Sequence, residues 1–522
     1  MGKRFFLFLM MALPLCGMAA AQEADYRLVL QKTDLLEGAA MDGTRWEGWG
    51  TSLCWWANRV GYNPALTQAS ARLFFDAEAG LGLNIMRYNI GGGDDPSHHH
   101  ITRTDSDVPG WLYVEADGRQ SYRYDADSCQ LNVLRAAADA AGDDAYIEVF
   151  SNSPPYFMTN SGCSSGNVKA DENNLRDDAY EALAEYLAHV TNYMVNNMGL
   201  NVKSVSPMNE PNTNYWSALS NKQEGCHFDA GAPQSRILVE TSKALERYGL
   251  GRLVLVASDE TNPALQIEEI EKYTPEARKV IDRISSHTYS TNRIKELGDL
   301  VRKERINLWM SETDGANTSG EQAGEMGAGL WMAEKIITDI RDMRPSAWVM
   351  WQVIDTHVSA NGYKGRRDSG PLRTARGYWG LSCANHDTNE IQLSQKYYAF
   401  GQFSRYIRPG DILVLSDLQA SGDIPEQAAQ GRPRTACRTL SAWNAAKRRL
   451  TVVCTNASAS EKTVDIDVSD FGLRKAGVKI VRTSGSMSEG EHWTDAGNAR
   501  IKKGAAQFTL APNSVTTFII SK

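Results

Sequence analysis

The sequence predicts an α/β fold, a (β/α)8 TIM barrel with an attached antiparallel β-sandwich domain. Three observations carry that expectation. From residue 46 to residue 407 short strand-like runs alternate with longer helix-like ones, and the strand-like runs number eight. Several of these are apolar along most of their length, as parallel strands covered on both faces must be. After Pro409 the apolar period drops to two and helix signals cease. A doubly wound open sheet is the rival for the alternating part, but "NIGGGDDP" lacks the G-x-G-x-x-G spacing and no helix pattern follows it.

Taken in order, the chain opens with Lys3 and Arg4, an apolar run from Phe5 to Leu15, and Ala19-Ala20-Ala21 before Gln22. This is the pattern of an export signal over 1–21, so the mature chain is expected to be secreted, periplasmic or at the cell surface. Lipidation at Cys16 fits less well, because bulky Leu15 precedes it. Within 22–45, "DYRLVLQKT" alternates and is expected to add a strand to the C-terminal β domain. The barrel is expected over 46–408. Its strands are read in "WEGWGTSLCWW", "LNIMRYNI", "AYIEVFSNS", "VKSVSPMNEP", "LVLVASDE", "RISSHTYS", "INLWMSET" and "WVMWQVID". The clearest helix is "LRDDAYEALAEYLAHVTNYMVNNMG", where Tyr180, Leu183, Leu187, Val190 and Met194 share a face and Gly199 serves as a stop. Further helices are read in "TQASARLFFDAEAG", "QLNVLRAAADAAG", "SRILVETSKALERYG", "IKELGDLVRKE", "GLWMAEKIITDIRDM" and "SQKYYAFGQFSRYI". In 409–522, "TVDIDVSDF" sets Val464, Ile466 and Val468 against Asp465 and Asp467, a strand with one wet side. That wet side also accounts for acids that otherwise suggest calcium.

A formal charge of −8 and a pI near 5.7 leave no basic footprint for nucleic acid, and no later apolar run is long enough to span a bilayer. A neutral, polar ligand fits better. The 13 Trp and 20 Tyr suit sugar rings, whose C–H patches pack on flat aromatic faces, although most aromatic residues fill cores. Beyond Cys16 the cysteines stand at 54, 129, 163, 226, 383, 437 and 454, an odd number that leaves a thiol unpaired. Cys163 with Cys226, and Cys437 with Cys454, are the pairs that could bridge. None shows the short paired spacing of a zinc site, so no metal or other cofactor is expected.

Active groups of a parallel barrel stand at the carboxyl ends of its strands. Those ends read Trp55 and Trp56, Arg87 and Asn89, Asn152, Asn209 and Glu210, Asp259 and Glu260, His287 and Tyr289, Glu312, and Trp351 and Gln352. Glu210 and Glu312 are carboxylates ending strands four and seven, each in a polar, aromatic setting unlike a surface or cap acid. Cleaving a glycosidic bond needs a proton for the leaving oxygen and a carboxylate facing the anomeric carbon, which two such glutamates supply. Asn209, beside the acid, is placed to hydrogen-bond a sugar 2-hydroxyl.

The "NEP" of strand four with a second glutamate ending strand seven resembles the large retaining clan of (β/α)8 glycoside hydrolases. Within it, "GWGTSLCWW", "MRYNIGG", "SNSPPYFMTNSG", "MNEPN" with "QEGCHF", "WMSETDG" and "WQVID" resemble glycoside hydrolase family 30, and most its endo-β-1,6-galactanase branch. The resemblance runs over nearly the whole mature chain. It implies Glu210 as general acid/base and Glu312 as nucleophile, with retention of configuration and carboxyl groups about 5–5.5 Å apart. It also implies that Arg87 keeps the nucleophile ionised and that the Tyr289 hydroxyl bonds to it.

Trp55, Trp56, Trp216, Trp351 and Trp379 are the candidates for stacking on sugars, and at least one of the adjacent Trp55 and Trp56 belongs to the core. Asn58, Asn152, Ser153 and Gln223 are candidates for hydroxyl contacts. The histidines of "SHHHIT" cannot all face one ion, and no acid stands at ligand spacing, so a solvated or substrate-lining loop is expected. "NTS" at 317 and "NAS" at 456 fit glycosylation sequons. The expected protein is a monomeric, exported glycosidase acting endo on β-1,6-galactan side chains of arabinogalactan. The alternatives are a β-1,6-glucanase, a xylanase, an exo-β-glycosidase, or an inactive carbohydrate-binding barrel.

Overall fold

The computed structural model describes residues 23–36, 45–103, 105–314, 324–360, 362–363, 379–421, 427–429, 432–434 and 436–522. The export signal and the sequon at 317 lie outside the described residues.

Eight parallel strands close into a barrel. They are β1 (Gly48–Ser52), β2 (Ile85–Asn89), β3 (Tyr146–Phe150), β4 (Val202–Ser206), β5 (Val254–Glu260), β6 (Arg283–His287), β7 (Asn307–Glu312) and β8 (Ala347–Met350). Each pairs in parallel with its sequence neighbours, and β8 closes on β1 through Ala347 opposite Gly48. Seven fall within the runs expected from sequence, and β8 begins one residue before its run, at Ala347.

The expected helices form as well. In Tyr180–Asn196, the residues Tyr180, Leu183, Leu187, Val190 and Met194 are all buried. Besides a short helix at Trp56–Val60, two helices escaped the pattern, Pro263–Lys272 and Pro275–Val280 after β5. Their signals lay at the caps, since Asn262 accepts from the Ala264 and Leu265 N–H groups with proline in the first turn. The final barrel run is not one strand. It breaks after β8, and Ile354–Val358 joins Ser382–Asn385 and Glu390–Leu393 in a separate three-stranded sheet.

Ten further strands form a mostly antiparallel sheet. It folds over its own core, for Phe508 and Phe518 lie on strands three places apart in the sheet order with ring centroids 4.6 Å apart. Tyr26–Val29 enters it in parallel against Lys462–Asp467. Leu413, Leu440, Ala442, Val453 and Val515 of this sheet pack into the barrel's own apolar cluster, so the two layers share a core. The seven cysteines from Cys54 onward are all free thiols, which corrects both possible bridges. Cys437 stands opposite Asn456 and Cys454 opposite Thr439, a diagonal placement across the strand pair.

Inside the barrel, alternate residues of each strand stack in layers. Ile85, Trp309, Ala347 and Val349 form an apolar base. Arg283 lies on Trp309, 3.5 Å from the ring centroid, and Arg87 and Glu148 follow one layer up. The inward residues therefore turn from apolar to charged toward the carboxyl ends of the strands.

Candidate active site

At that end the charged layer becomes a cleft. Arg87, fully buried on β2, donates from Nε to Glu148 at 3.0 Å, from one terminal nitrogen to Glu312 at 3.1 Å, and from the other to Asp259. Three carboxylates around one guanidinium raise its pKa further, against the opposing effect of burial. Arg283 holds the other oxygen of Glu148, and the Ser204 hydroxyl donates to it at 2.7 Å. The fork geometry of arginine suits this place, because it serves several acceptors in fixed directions.

Glu312 ends β7 as expected. Its carboxylate accepts from Arg87 and, at 2.9 Å, from the Tyr289 hydroxyl. Glu210 does not end β4 directly. The ladder stops at Ser206, and Glu210 stands in the turn beyond it with φ of 47°, its N–H donating to the Asp259 carbonyl at 2.9 Å. Its carbonyl accepts from the Thr213 hydroxyl and the Trp216 indole, and its carboxylate accepts from the Tyr215 hydroxyl at 2.6 Å. Four contacts thus hold a backbone conformation that disfavours a side chain.

His287 joins the two glutamates. Its Nδ1 is 3.1 Å from Glu210 and 3.5 Å from Glu312, and its Nε2 is 3.3 Å from Asp259. Burial alone lowers the pKa of an imidazole, but the carboxylates of Glu312 and Asp259 overcome it and hold His287 well above its ordinary value. An imidazolium has no lone pair for a metal, so this group is arranged for proton and charge control. Burial likewise opposes Asp259, yet Arg87 and His287 bring it down to about 2. Burial pushes Glu312 up to about 7, with Glu210 adding to it, against the pull of His287 and Arg87. One oxygen of Glu210, one of Glu312 and a nitrogen of His287 lie within 4.8 Å of one another.

The cleft has two joined hollows of about 410 and 330 Å³. Glu210, Glu312, Asn209, Tyr215, Trp216, Gln223 and Tyr289 line the first, while Arg59, Gln352 and Asp355 line the second. Trp55, Trp351 and Trp379 face both, with Trp55 edge-on to Trp351 at 5.0 Å between ring centroids. Among the described residues, buried Asn209 Oδ1 meets no hydrogen-bond donor. Other expectations need correction. The run "SLCWW" is not extended, because β1 ends at Ser52 and a short helix begins at Trp56, which sends that residue wholly into the core. Asn152 and Ser153 are buried beside β3 and Asn58 lies in the same short helix as Trp56, and none of the three lines either hollow. Asn152 reaches Cys54 Sγ at 3.5 Å, and the Ser153 hydroxyl turns to the Pro154 carbonyl. Tyr215 and Glu148 were missed by sequence reading. Glu148 had a signal, the inward period of two through Tyr146, Glu148 and Phe150.

The expectation of no acid near the histidines of "SHHHIT" is also overturned. A turn at Asp95, whose carbonyl accepts from the His98 and His99 N–H groups, folds the loop back so that Asp94 lies 3.0 Å from His100.

The profile of O-glycosyl hydrolase family 30 matches residues 42–363. The chain belongs to that family. As a family 30 glycoside hydrolase it acts on O-glycosyl bonds of carbohydrate. It is 27% identical to an endo-β-1,6-galactanase of Hypocrea rufa over 500 residues, covering 91% of this chain and 92% of that one. It is 26% identical to an exo-β-1,6-galactobiohydrolase of Bifidobacterium longum subsp. longum, covering 82% of this chain but 34% of the longer enzyme. Among solved structures, a conserved exported protein of Bacteroides fragilis shares the fold, with a TM-score of 0.72 and 18% identity over 94% of this chain and 99% of that one. No helix among the described residues is long and apolar enough to cross a membrane.

Proposed function

We propose that this glycoside hydrolase is an exported, retaining endo-β-1,6-galactanase of arabinogalactan side chains. The observation that carries the mechanism is the approach of the two glutamates, with oxygens within 4.8 Å of each other. A retaining enzyme needs carboxyl groups about 5–5.5 Å apart, whereas an inverting one leaves about 6.5–9.5 Å for a water.

Glu210 is the acid/base. Its carboxyl gives a proton to the glycosidic oxygen as the bond to the anomeric carbon breaks. Glu312 attacks that carbon and forms a glycosyl ester. Glu210, now a carboxylate, takes a proton from water, whose oxygen displaces Glu312 and restores both groups. The donors support this division, since Arg87 and Tyr289 both stabilise charge on Glu312. His287 compensates the charge that moves between the two. Asn209 Oδ1 is free to accept from the 2-hydroxyl of the reacting sugar.

The two joined hollows support endo action, because a chain can occupy both and run on past the bond that breaks. The choice of β-1,6-galactan rests on the galactanase and galactobiohydrolase relatives, and export rests on the leader pattern at 1–21. Incubation with β-1,6-galactan, β-1,6-glucan and xylan, with the products sized and their first anomer read by NMR, tests the reading. Galacto-oligomers of β configuration are expected from galactan alone. Release of monosaccharide only overturns endo action, and an α product overturns retention. Glu210→Gln and Glu312→Gln are each expected to remove most activity while the circular dichroism spectrum stays unchanged.

A further inference from the structure

A second group of metal-ligating side chains lies outside the catalytic cluster. The loop after β2 carries Asp94, His98 and His100, and the loop after β3 carries Cys163. His98 Nδ1 and His100 Nδ1 face each other at 3.0 Å. Asp94 Oδ1 is 3.0 Å from the second of these and 3.7 Å from the first. Cys163 offers its sulfur within 4.8 Å of a ring nitrogen of each histidine. The side chains of Asp94 and His100 are only 6% and 7% exposed, and Cys163 is 2% exposed. His99, between the two histidines, is exposed and takes no part.

The protons of this cluster are fixed from outside. The Ser165 hydroxyl donates to the Ser217 carbonyl at 3.0 Å, so toward His100 Nε2, 2.8 Å away, it can only accept. Nε2 therefore carries the proton, and in the neutral ring Nδ1 is left with a bare lone pair. That lone pair faces a carboxylate oxygen and a second imidazole nitrogen. A cation there is held by all three once His98 turns its own Nδ1 lone pair to it. Donors around a tetrahedral zinc ion, with bonds of about 2.0–2.3 Å, stand roughly 3.3–3.8 Å apart, near the 3.0–3.7 Å spacings among Asp94, His98 and His100.

We propose that Asp94, His98, His100 and Cys163 form a zinc site. Two imidazoles, a carboxylate and a thiolate are the donor types that zinc takes, and a thiolate disfavours magnesium or calcium. No ligand belongs to the catalytic cluster, so the ion is structural. It clamps the loop after β2 to the loop after β3. Through Ser165 and Ser217 the clamp reaches Trp216, whose indole holds the Glu210 carbonyl.

The full-length protein, stripped with chelator and dialysed, is titrated with zinc by calorimetry and then with cobalt in an absorption spectrometer. One equivalent of zinc is expected to bind and raise Tm. Cobalt is expected to give tetrahedral bands together with a thiolate-to-metal charge-transfer band. His100→Ala is expected to abolish the equivalent, and Ser165→Ala to weaken it about 10- to 100-fold by freeing the ring. Cys163→Ser is expected to remove the charge-transfer band while keeping cobalt binding, a readout that survives if His100→Ala fails to fold. Absence of a stoichiometric equivalent overturns the site. So does a cobalt complex without the thiolate band, which would mean that Cys163 is not a ligand.

Discussion

Arg87 sets the charge of the cleft, because Glu148, Asp259 and Glu312 all lean on one guanidinium. Removing the partner of buried charges costs about 3–5 kcal/mol, more than a hydrophobic replacement recovers. Arg87→Met is therefore expected to lower the unfolding free energy in urea by about that amount. Arg87→Lys keeps the charge but reaches fewer acceptors, so it is expected to lose less stability and still lose kcat, since Glu312 no longer has a fixed donor. An unchanged urea midpoint in Arg87→Met would remove the residue from this role. The raised pKa of Glu312 gives a second expectation. The nucleophile must be ionised to attack, and Glu312 loses its proton only as pH rises through about 7. Activity is therefore present above that value and lost below it, with an acid limb in kcat/KM near 7. Full activity kept down to pH 5 would contradict this. At this scale Glu210, Glu312, Asn209, Arg87 and Tyr289 were legible because chemistry at strand ends has few candidates. Tyr215 was not, because it reaches Glu210 by a turn that no period encodes.

The loop after β4 shows how an element positions a carboxylate that the strand itself does not reach. Trp216 lies under the turn and donates to the Glu210 carbonyl at 3.0 Å, and Gly225 passes directly across its ring. A Cβ on Gly225 would stand 2.0 Å from the Trp216 ring, so the indole must move or the loop must shift. Gly225→Ala is expected to cost about 1–3 kcal/mol through overpacking. It is also expected to lower kcat, because the displaced indole releases the backbone of the acid/base, and to raise KM to a smaller extent, because Trp216 also lines the hollow. Chemical denaturation and steady-state kinetics on the same preparation check both halves, and a variant with wild-type kcat would show that the Trp216 contact does not matter. The glycine was visible in "QEGCHF", but its reason was not, since the contact depends on a side chain nine residues earlier in a loop without regular structure. The helices of 263–280 were hidden differently. They are short, and their start is written in Asn262 and Thr274 caps and following prolines instead of in an apolar stripe.

Across the whole molecule, eight apolar runs were enough to foresee the barrel, because closure leaves few other ways to bury strands on both faces. The charged filling at its upper end was not foreseen, since Glu148 and Arg283 sit inside runs that look like ordinary core and Glu224 sits in a loop without regular structure. That filling governs stability as a function of pH. Burial pushes Glu224 up to about 8 and Glu260 to about 7, alongside Glu312. The folded chain therefore keeps protons that the unfolded chain has lost above the ordinary glutamate value of 4.5. Their contribution is complete below that value and disappears as pH climbs through about 7 to 8. Asp259 acts in the opposite sense, and its contribution is lost as pH falls from 3.8 toward about 2. Maximum stability is thus expected at about pH 4–5, with Tm falling steadily toward pH 8.5 in scanning calorimetry. Glu224 accepts from Asn89 at 3.0 Å and from the Gly92 N–H at 2.8 Å, tying the loop after β4 to β2. Glu224→Gln turns an amide toward those donors and is expected to be less stable at pH 5, yet to lose less between pH 5 and 8 because it cannot titrate. An identical slope in the two proteins would mean that Glu224 does not hold its proton in the fold.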